Sequence, residues 1–357
     1  MLSIDHPING MICNRHDGTV TPQGLRIRVV GRARGHVTVN GNPADVRGNG
    51  FSAEVTLKGG KNTIHAQATD SSRTEEAHLT VLYDQNSFPR CRFSLDDNIW
   101  WLRDLARRAD HYRSIFDNPF LAFWRRMHER YGLRAHFNIY YQDEADFTLE
   151  QMPDKFRSEW RDNAHWLRLT FHALANNPGN PYANADYATM KRDYEKVTAH
   201  IVRFAGEELL SDFTTIHWGI APQEACRALR DCGIRGLVGY FLERDGKPFV
   251  AYYVTKAQQE HLCARDYWLD PDIDMIFVKH DLVVNNCPLP EITPRLDALY
   301  ADKHQSEVLE LMIHEQYFYP HFVAYRPDAW DRVETCARWV VEHGYKWVFY
   351  DEGFVGA

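Results

Sequence analysis

The chain has no apolar run near the ~18 residues that a membrane-spanning helix needs, so a membrane partner is not expected. Its opening stretch, MLSIDHPING, has neither a basic start nor an apolar signal core. As given, the chain is expected to be cytoplasmic, with an extracellular location open if a leader has been trimmed. It has no C-x-x-C pair. Seven cysteines, an odd number, scattered over 357 residues fit neither a disulfide framework nor a cysteine-rich zinc site, and are expected to be reduced core residues. Nor is there a cluster of basic residues: Lys and Arg number 41 against 49 Asp and Glu, net charge −8, which argues against a nucleic-acid footprint. What remains is an ordinary globular composition, 44% hydrophobic and 13% aromatic, long enough for two domains.

Two regions follow different patterns. Residues 25 to 83 read as short alternating segments, LRIRVV, HVTVN, FSAEVTL, NTIHAQAT and AHLTVLY, broken by GRARG, NGNPADVRGNG and KGGK. Alternation with a period of two, and Gly or Asn at the breaks, predicts an antiparallel all-β sandwich over residues 1–84. The stretch VTVNG, followed by GFSAEVTLKGGKNTIHAQATD, resembles the bacterial immunoglobulin-like modules attached to carbohydrate-active enzymes. That resemblance implies either a sugar-binding accessory or an inert spacer. Charge is nearly balanced in this region, so the acidity belongs to the second region, 85–357, which begins around YDQNSFPR.

From Cys91 onward, apolar runs alternate with helical patterns. Candidate strands are CRFSL, RAHFNIYY, WLRLTFHA, FTTIHWG, GLVGYF, DMIFVKHDLVV, VLELMIH and KWVFYD. Met190, Tyr194, Val197, Ile201 and Phe204 recur at helical spacing. Further helices open at Pro222 and Pro327 and stop at Gly233 and Gly344. Strand and helix in alternation predict a parallel α/β architecture, and seven or eight strands favour a β/α barrel over a doubly wound sheet.

In such barrels the chemistry sits at the C-terminal strand ends. Asp96 and Asp97 follow the first candidate strand, His172 the third and His217 the fourth. His280 and Asp281 fall within the sixth, His314 ends the seventh and Asp351 the eighth. Along WLRLTFHA, His172 shares a face with Arg168 and Thr170 rather than with the apolar stripe. A carboxylate with two imidazoles is the usual makeup of a catalytic zinc site and also suits other divalent transition ions. Of two adjacent carboxylates, one can hold the cation while its neighbour takes a proton.

FSLDD resembles the Asp-Asp motif of the polysaccharide deacetylases, carbohydrate esterases built on a distorted β/α barrel. RAHFNIYY occupies the place of their second strand, FHALAN is similar to their His-x-x-x-His, and LELMIHE to their late Leu-x-His strand. The resemblance implies Asp96 as catalytic base, Asp97 and His172 as metal ligands, His314 as the acid that protonates the leaving amine, and a divalent metal, zinc first. Two departures stand out. Asn176 occupies the position of the second metal histidine, and TTIHWG replaces the Arg-x-Pro-Tyr motif, bringing His217. Either His217 supplies the missing imidazole, which is the expectation, or the metal site is degraded.

The expected activity is removal of acetyl groups from an N-acetylated sugar or polysaccharide, with Asp96 removing a proton from the attacking water. Two alternatives are a catalytically degraded, carbohydrate-binding relative, and a metal-free glycosidase or epimerase. The last would pair Asp97 with Asp351 or Glu315 across the cleft.

Overall fold

The computed structural model describes residues 2–71, 73–244 and 247–350. Asp351, one of the candidate carboxylates, lies outside the described residues. The chain forms two compact units. Residues 2–88 together with Tyr267–Asp274 make one, and Pro89–Asp266 with 275–350 the other.

The first unit is all-β. One sheet runs Ser3–His6, Gly24–Arg32, Gly50–Leu57 and Asp45–Arg47, with Thr19–Thr21 also paired to Gly24–Arg32. The other runs Ile12–Cys13, Thr74–Tyr83, Gly60–Thr69, His36–Val39 and Asn42–Pro43. Alternation dictates the packing. Leu25, Ile27 and Val29 from one sheet and Ile64, Ala66 and Val81 from the other share a single core, while the residues between them face outward.

The sequence boundary did not foresee Tyr267–Asp274, which belongs to this unit. Trp268 bridges to Met11 and donates its indole N–H to the Asn9 carbonyl at 2.8 Å, and the Leu269 N–H donates to Gly10 at 2.9 Å. Backbone pairing between segments this distant in sequence has no local signature, so composition could not locate it.

The second unit is mixed α/β. Besides a small antiparallel hairpin of Leu242–Arg244 and Lys247–Phe249, its strands are β1 (Arg90–Asn98), β2 (Ala135–Tyr140), β3 (Leu167–Ala173), β4 (Phe213–Thr214), β5 (Gly236–Gly239), β6 (Met275–Lys279), β7 (Leu282–Val283), β8 (Val308–His314) and β9 (Lys346–Trp347). One sheet has the order β3-β2-β1-β8-β7, and β4, β5 and β6 lie side by side in a second. Every pairing among these strands is parallel.

Three expected strands change character, the first being FTTIHWG, which pairs over Phe213–Thr214 alone and ends in a 3-10 turn at His217–Gly219. DMIFVKHDLVV breaks at its centre, where His280 N–H donates to Gly239 of β5 at 2.7 Å and Asp281 N–H donates to Glu310 of β8 at 2.9 Å. There the chain steps from one sheet to the other. KWVFYD pairs over only two residues, beside the start of β1. Among the described residues, strand pairing therefore forms two parallel sheets rather than an unbroken ring of eight. Between β3 and the segment that leads into β4 the links are an isolated parallel bridge, Leu169 to Leu210, and a bond from the Thr214 hydroxyl to the Phe171 carbonyl.

Helix α1 (Tyr187–Phe204) buries Met190, Tyr194, Val197, Ile201 and Phe204, the stripe that its spacing predicts. Ile201 is fully buried, so Ile201→Ala should cost ~2–5 kcal/mol through lost contacts and the residual cavity. Denaturant unfolding checks this: a loss under ~1 kcal/mol would mean that the helix face collapses freely onto its neighbours.

Along β1, Cys91, Phe93 and Leu95 alternate with Arg92, Ser94 and Asp96, yet all six are buried. The polar set is partly satisfied by its neighbours, with Arg92 Nη2, His136 Nε2 and Glu310 Oε2 left without a partner among the described residues. Arg92 pairs with Glu310 at 2.5 Å and donates to His136 Nδ1 at 2.7 Å, and the Ser94 hydroxyl donates to Glu310 at 2.9 Å. A buried polar stripe of this kind depends on each partner it has. It ends at Asp96.

Candidate functional site

A strand that continued regularly past Asp96 would point Asp97 to the opposite face. It does not continue. Asp97 has a φ of +64°, and the pairing of β1 with β2 shifts register between Leu95 and Asn98. This bulge brings both carboxylates to one cavity. A second register shift, where Ile139 faces Phe171 but Tyr140 faces Ala173, leaves His172 as the extra residue on its strand at the same level.

Asp97, His172 and His217 converge. Asp97 Oδ1 lies 3.0 Å from His172 Nε2 and 3.2 Å from His217 Nδ1, and the two ring nitrogens are 3.3 Å apart. Three donors at bond lengths of ~2.0–2.1 Å around a tetrahedral cation are ~3.3 Å from one another. Each imidazole is held from behind by a carbonyl. His172 Nδ1 donates to Thr215 O at 2.5 Å, and His217 Nε2 donates to Asn176 O at 3.1 Å. In the neutral form that a metal ligand requires, those bonds fix the tautomers, so the nitrogens facing Asp97 carry lone pairs. Three lone-pair donors thus face each other, with the single hydroxyl proton of Tyr140, donated to Asp97 Oδ1, among them. That cluster fits a divalent cation.

The Asn176 side chain stands at the edge of this cluster: its Oδ1 lies 3.5 Å from the Tyr140 hydroxyl, its amide donates to Glu144 at 2.9 Å, and its backbone carbonyl orients His217. Asp96 is buried and accepts from Asn138 Nδ2 at 2.5 Å, and its partner across the ladder is His314. His314 Nδ1 is held by Asn285 Oδ1 at 3.0 Å, leaving Nε2 as the nitrogen that can exchange a proton. Asp96, Asp97, His172, His217 and His314 all line one cavity of about 1000 Å³, and Trp100, Trp218, Tyr240 and Tyr317 contribute aromatic wall. Trp218 is 43% exposed, with a φ of +64° beside His217.

His280 also lines this cavity. Its ring nitrogens have no hydrogen-bond partner among the described residues, and burial, with the Arg92 charge, keeps it neutral. Asp281 points elsewhere, pairing with Lys279 at 2.9 Å.

Glu315, proposed as a second carboxylate for glycoside chemistry, has another role. It is fully buried and accepts the backbone N–H groups of Ile99, Trp100 and Trp101 at 2.6, 2.9 and 2.7 Å, capping the helix Trp100–Arg107. Burial pushes its carboxyl up to about 7 against the pull of those donors. Glu315→Ala should cost ~3 kcal/mol or more, because three buried donors lose their acceptor, whereas Glu315→Gln should retain part of that. Equal melting temperatures for the two variants would show that water replaces the cap.

Tyr140 is the site residue that the strand-end rule could have found and did not. It ends β2, its hydroxyl lies 2.9 Å from His217 Nδ1, and burial, followed by the Asp97 charge, raises its phenol well above the usual value.

Residues 1–85 match the family model for glucodextranase, domain B. No curated protein matches the chain. Among solved structures, the chain is similar to wild-type BA3943, a CE4 family pseudoenzyme from Bacillus anthracis, at 8% identity and a TM-score of 0.32, covering 80% of this chain and 81% of that one. It is also similar to a mutant of that protein with restored enzymatic activity, at 9% identity and a TM-score of 0.30, covering 80% and 84%. Fibronectin(III)-like modules of Clostridium thermocellum CbhA match at 17% identity and a TM-score of 0.19 over 28% of this chain and 57% of theirs. Among the described residues, no helix is long and apolar enough to cross a membrane.

Proposed function

We propose that the cavity is the active site of a metal-dependent hydrolase that removes acetyl groups from N-acetylated sugars. We further propose that the two parallel sheets are arcs of a distorted β/α barrel in which β3 and β4, and β6 and β7, meet at the gaps. The observation that carries the functional reading is the convergence of Asp97, His172 and His217 on a cavity that Asp96 and His314 also line. A divalent cation held by those three residues would supply a Lewis acid able to polarise a carbonyl and lower the pKa of water.

The chain's own groups carry the proton transfers. Asp96, buried and steered by Asn138, takes the proton of the attacking water. His314, fixed through Nδ1 by Asn285, delivers a proton from Nε2 to the departing amide nitrogen. A register that faces Asp96 across the ladder to His314 puts base and acid on adjacent strands. The aromatic wall and the cavity's size suit pyranose rings, whose C–H faces pack on aromatic side chains.

Elemental analysis of the purified protein, combined with acetate release from N-acetylglucosamine oligomers, tests this. Loss of one equivalent of divalent metal in His172→Ala, together with acetate release by the wild type, is the expected outcome. Retained metal without acetate release would make the protein a carbohydrate binder, and cleavage of the glycosidic bond would replace the deacetylase reading with a glycosidase.

A further inference from the structure

We propose that His65, Glu76 and His78 form a second site for a divalent transition metal, on the outer face of the N-terminal sandwich and independent of the cavity. His65 and His78 are direct partners across the antiparallel ladder of Gly60–Thr69 and Thr74–Tyr83, and Glu76 stands two residues from His78 on the same face. The two imidazoles stack with ring centroids 4.1 Å apart and planes within 3° of parallel. Each presents Nε2 to the same oxygen: Glu76 Oε2 is 3.7 Å from His65 Nε2 and 3.7 Å from His78 Nε2.

The carboxylate is oriented for this. Gln67, directly across the ladder from Glu76, donates its side-chain amide to Oε1 at 3.0 Å, which leaves Oε2 turned toward both histidines. A ligating carboxylate held through its other oxygen by a hydrogen-bond donor is an outer-shell arrangement that metal sites use. His65 Nε2 is shielded from solvent and has no hydrogen-bond partner among the described residues.

Spacings of 3.7 Å exceed the ~3.3 Å of a tetrahedral set by a few tenths of an ångström, and the stacked rings must turn out of parallel to aim both Nε2 lone pairs at one ion, which side chains 37–56% exposed are free to do. Two imidazoles and one carboxylate select zinc, copper or nickel over calcium or magnesium, which want oxygen ligands throughout. Exposure leaves the remaining coordination positions to water.

The experiment is a zinc titration of the metal-free full-length chain against a competing chelator, with the number of bound ions read by calorimetry. The wild type should bind two ions. His78→Ala and Glu76→Gln should each bind one, with the lost site weakened at least ~100-fold, and Gln67→Leu should keep two with one weakened ~10–100-fold. His217→Ala should bind one, at the sandwich site. Unchanged stoichiometry and affinity in both His65→Ala and His78→Ala would overturn the proposal, leaving the cluster as a histidine–glutamate ion pair. A single zinc in the wild type that His217→Ala abolishes would overturn it while leaving the cavity reading intact. Loss of one zinc in His78→Ala with none lost in His217→Ala would support the sandwich site and sink the cavity metal.

Discussion

Asp97→Ala and His217→Ala should each empty the cavity of its cation, whereas Asn176→Ala should leave it bound. Asp97 Oδ1 is the one atom that faces both imidazole nitrogens, at 3.0 and 3.2 Å, so its removal deletes both a donor and the only negative charge of the cluster. Loss of His217 removes a second donor. In either variant, affinity should fall by at least ~100-fold, since outer-shell changes alone typically cost 10–100-fold. Asn176 differs because what it offers His217 is a main-chain carbonyl, which alanine also has. Metal content after dialysis against a weak chelator decides the matter. Full occupancy in His217→Ala with loss in Asn176→Ala would reverse the ligand assignment.

Asp96→Asn should keep the cation and lose turnover by ~10²–10⁴, the usual contribution of a positioned base. The substitution preserves shape and an oxygen able to accept from Asn138 Nδ2, so the cavity wall should hold its form. What it removes is a carboxylate able to take the proton of water. Reading metal content and acetate release in the same preparation separates the two aspartates. If Asp96→Asn turned over at the wild-type rate with metal bound, Asp96 would be a structural terminus of the buried polar stripe. If it lost its metal, the division of labour between the adjacent carboxylates would be the reverse of the one proposed.

Much of this arrangement is legible in the sequence. Period-two alternation specifies the sandwich strands, because one-sided burial demands it, and the helical spacing from Met190 to Phe204 specifies the buried face of a long helix. Polar residues at strand ends single out Asp96, Asp97, His172, His217 and His314, since in a parallel α/β unit those ends are where polar groups escape the apolar layers. The rest depended on contacts that local pattern does not encode. Two register shifts set Asp97 and His172 on the cavity, and alternation alone would have put the neighbouring aspartates on opposite faces. A helix needing an acceptor for three N–H groups claimed Glu315, which composition offered equally well to catalysis. Tyr140 reads as one aromatic among many until its hydroxyl is found against Asp97. Residues Tyr267–Asp274 belong to the first unit through the Trp268 indole bond to the Asn9 carbonyl and the main-chain bond of Leu269 to Gly10, more than half the chain away. Periodicity reports which side of an element is buried, a property of neighbouring residues. Register, bulges and long-range pairing are settled by the free energy of the whole packed chain, and these brought the donors together.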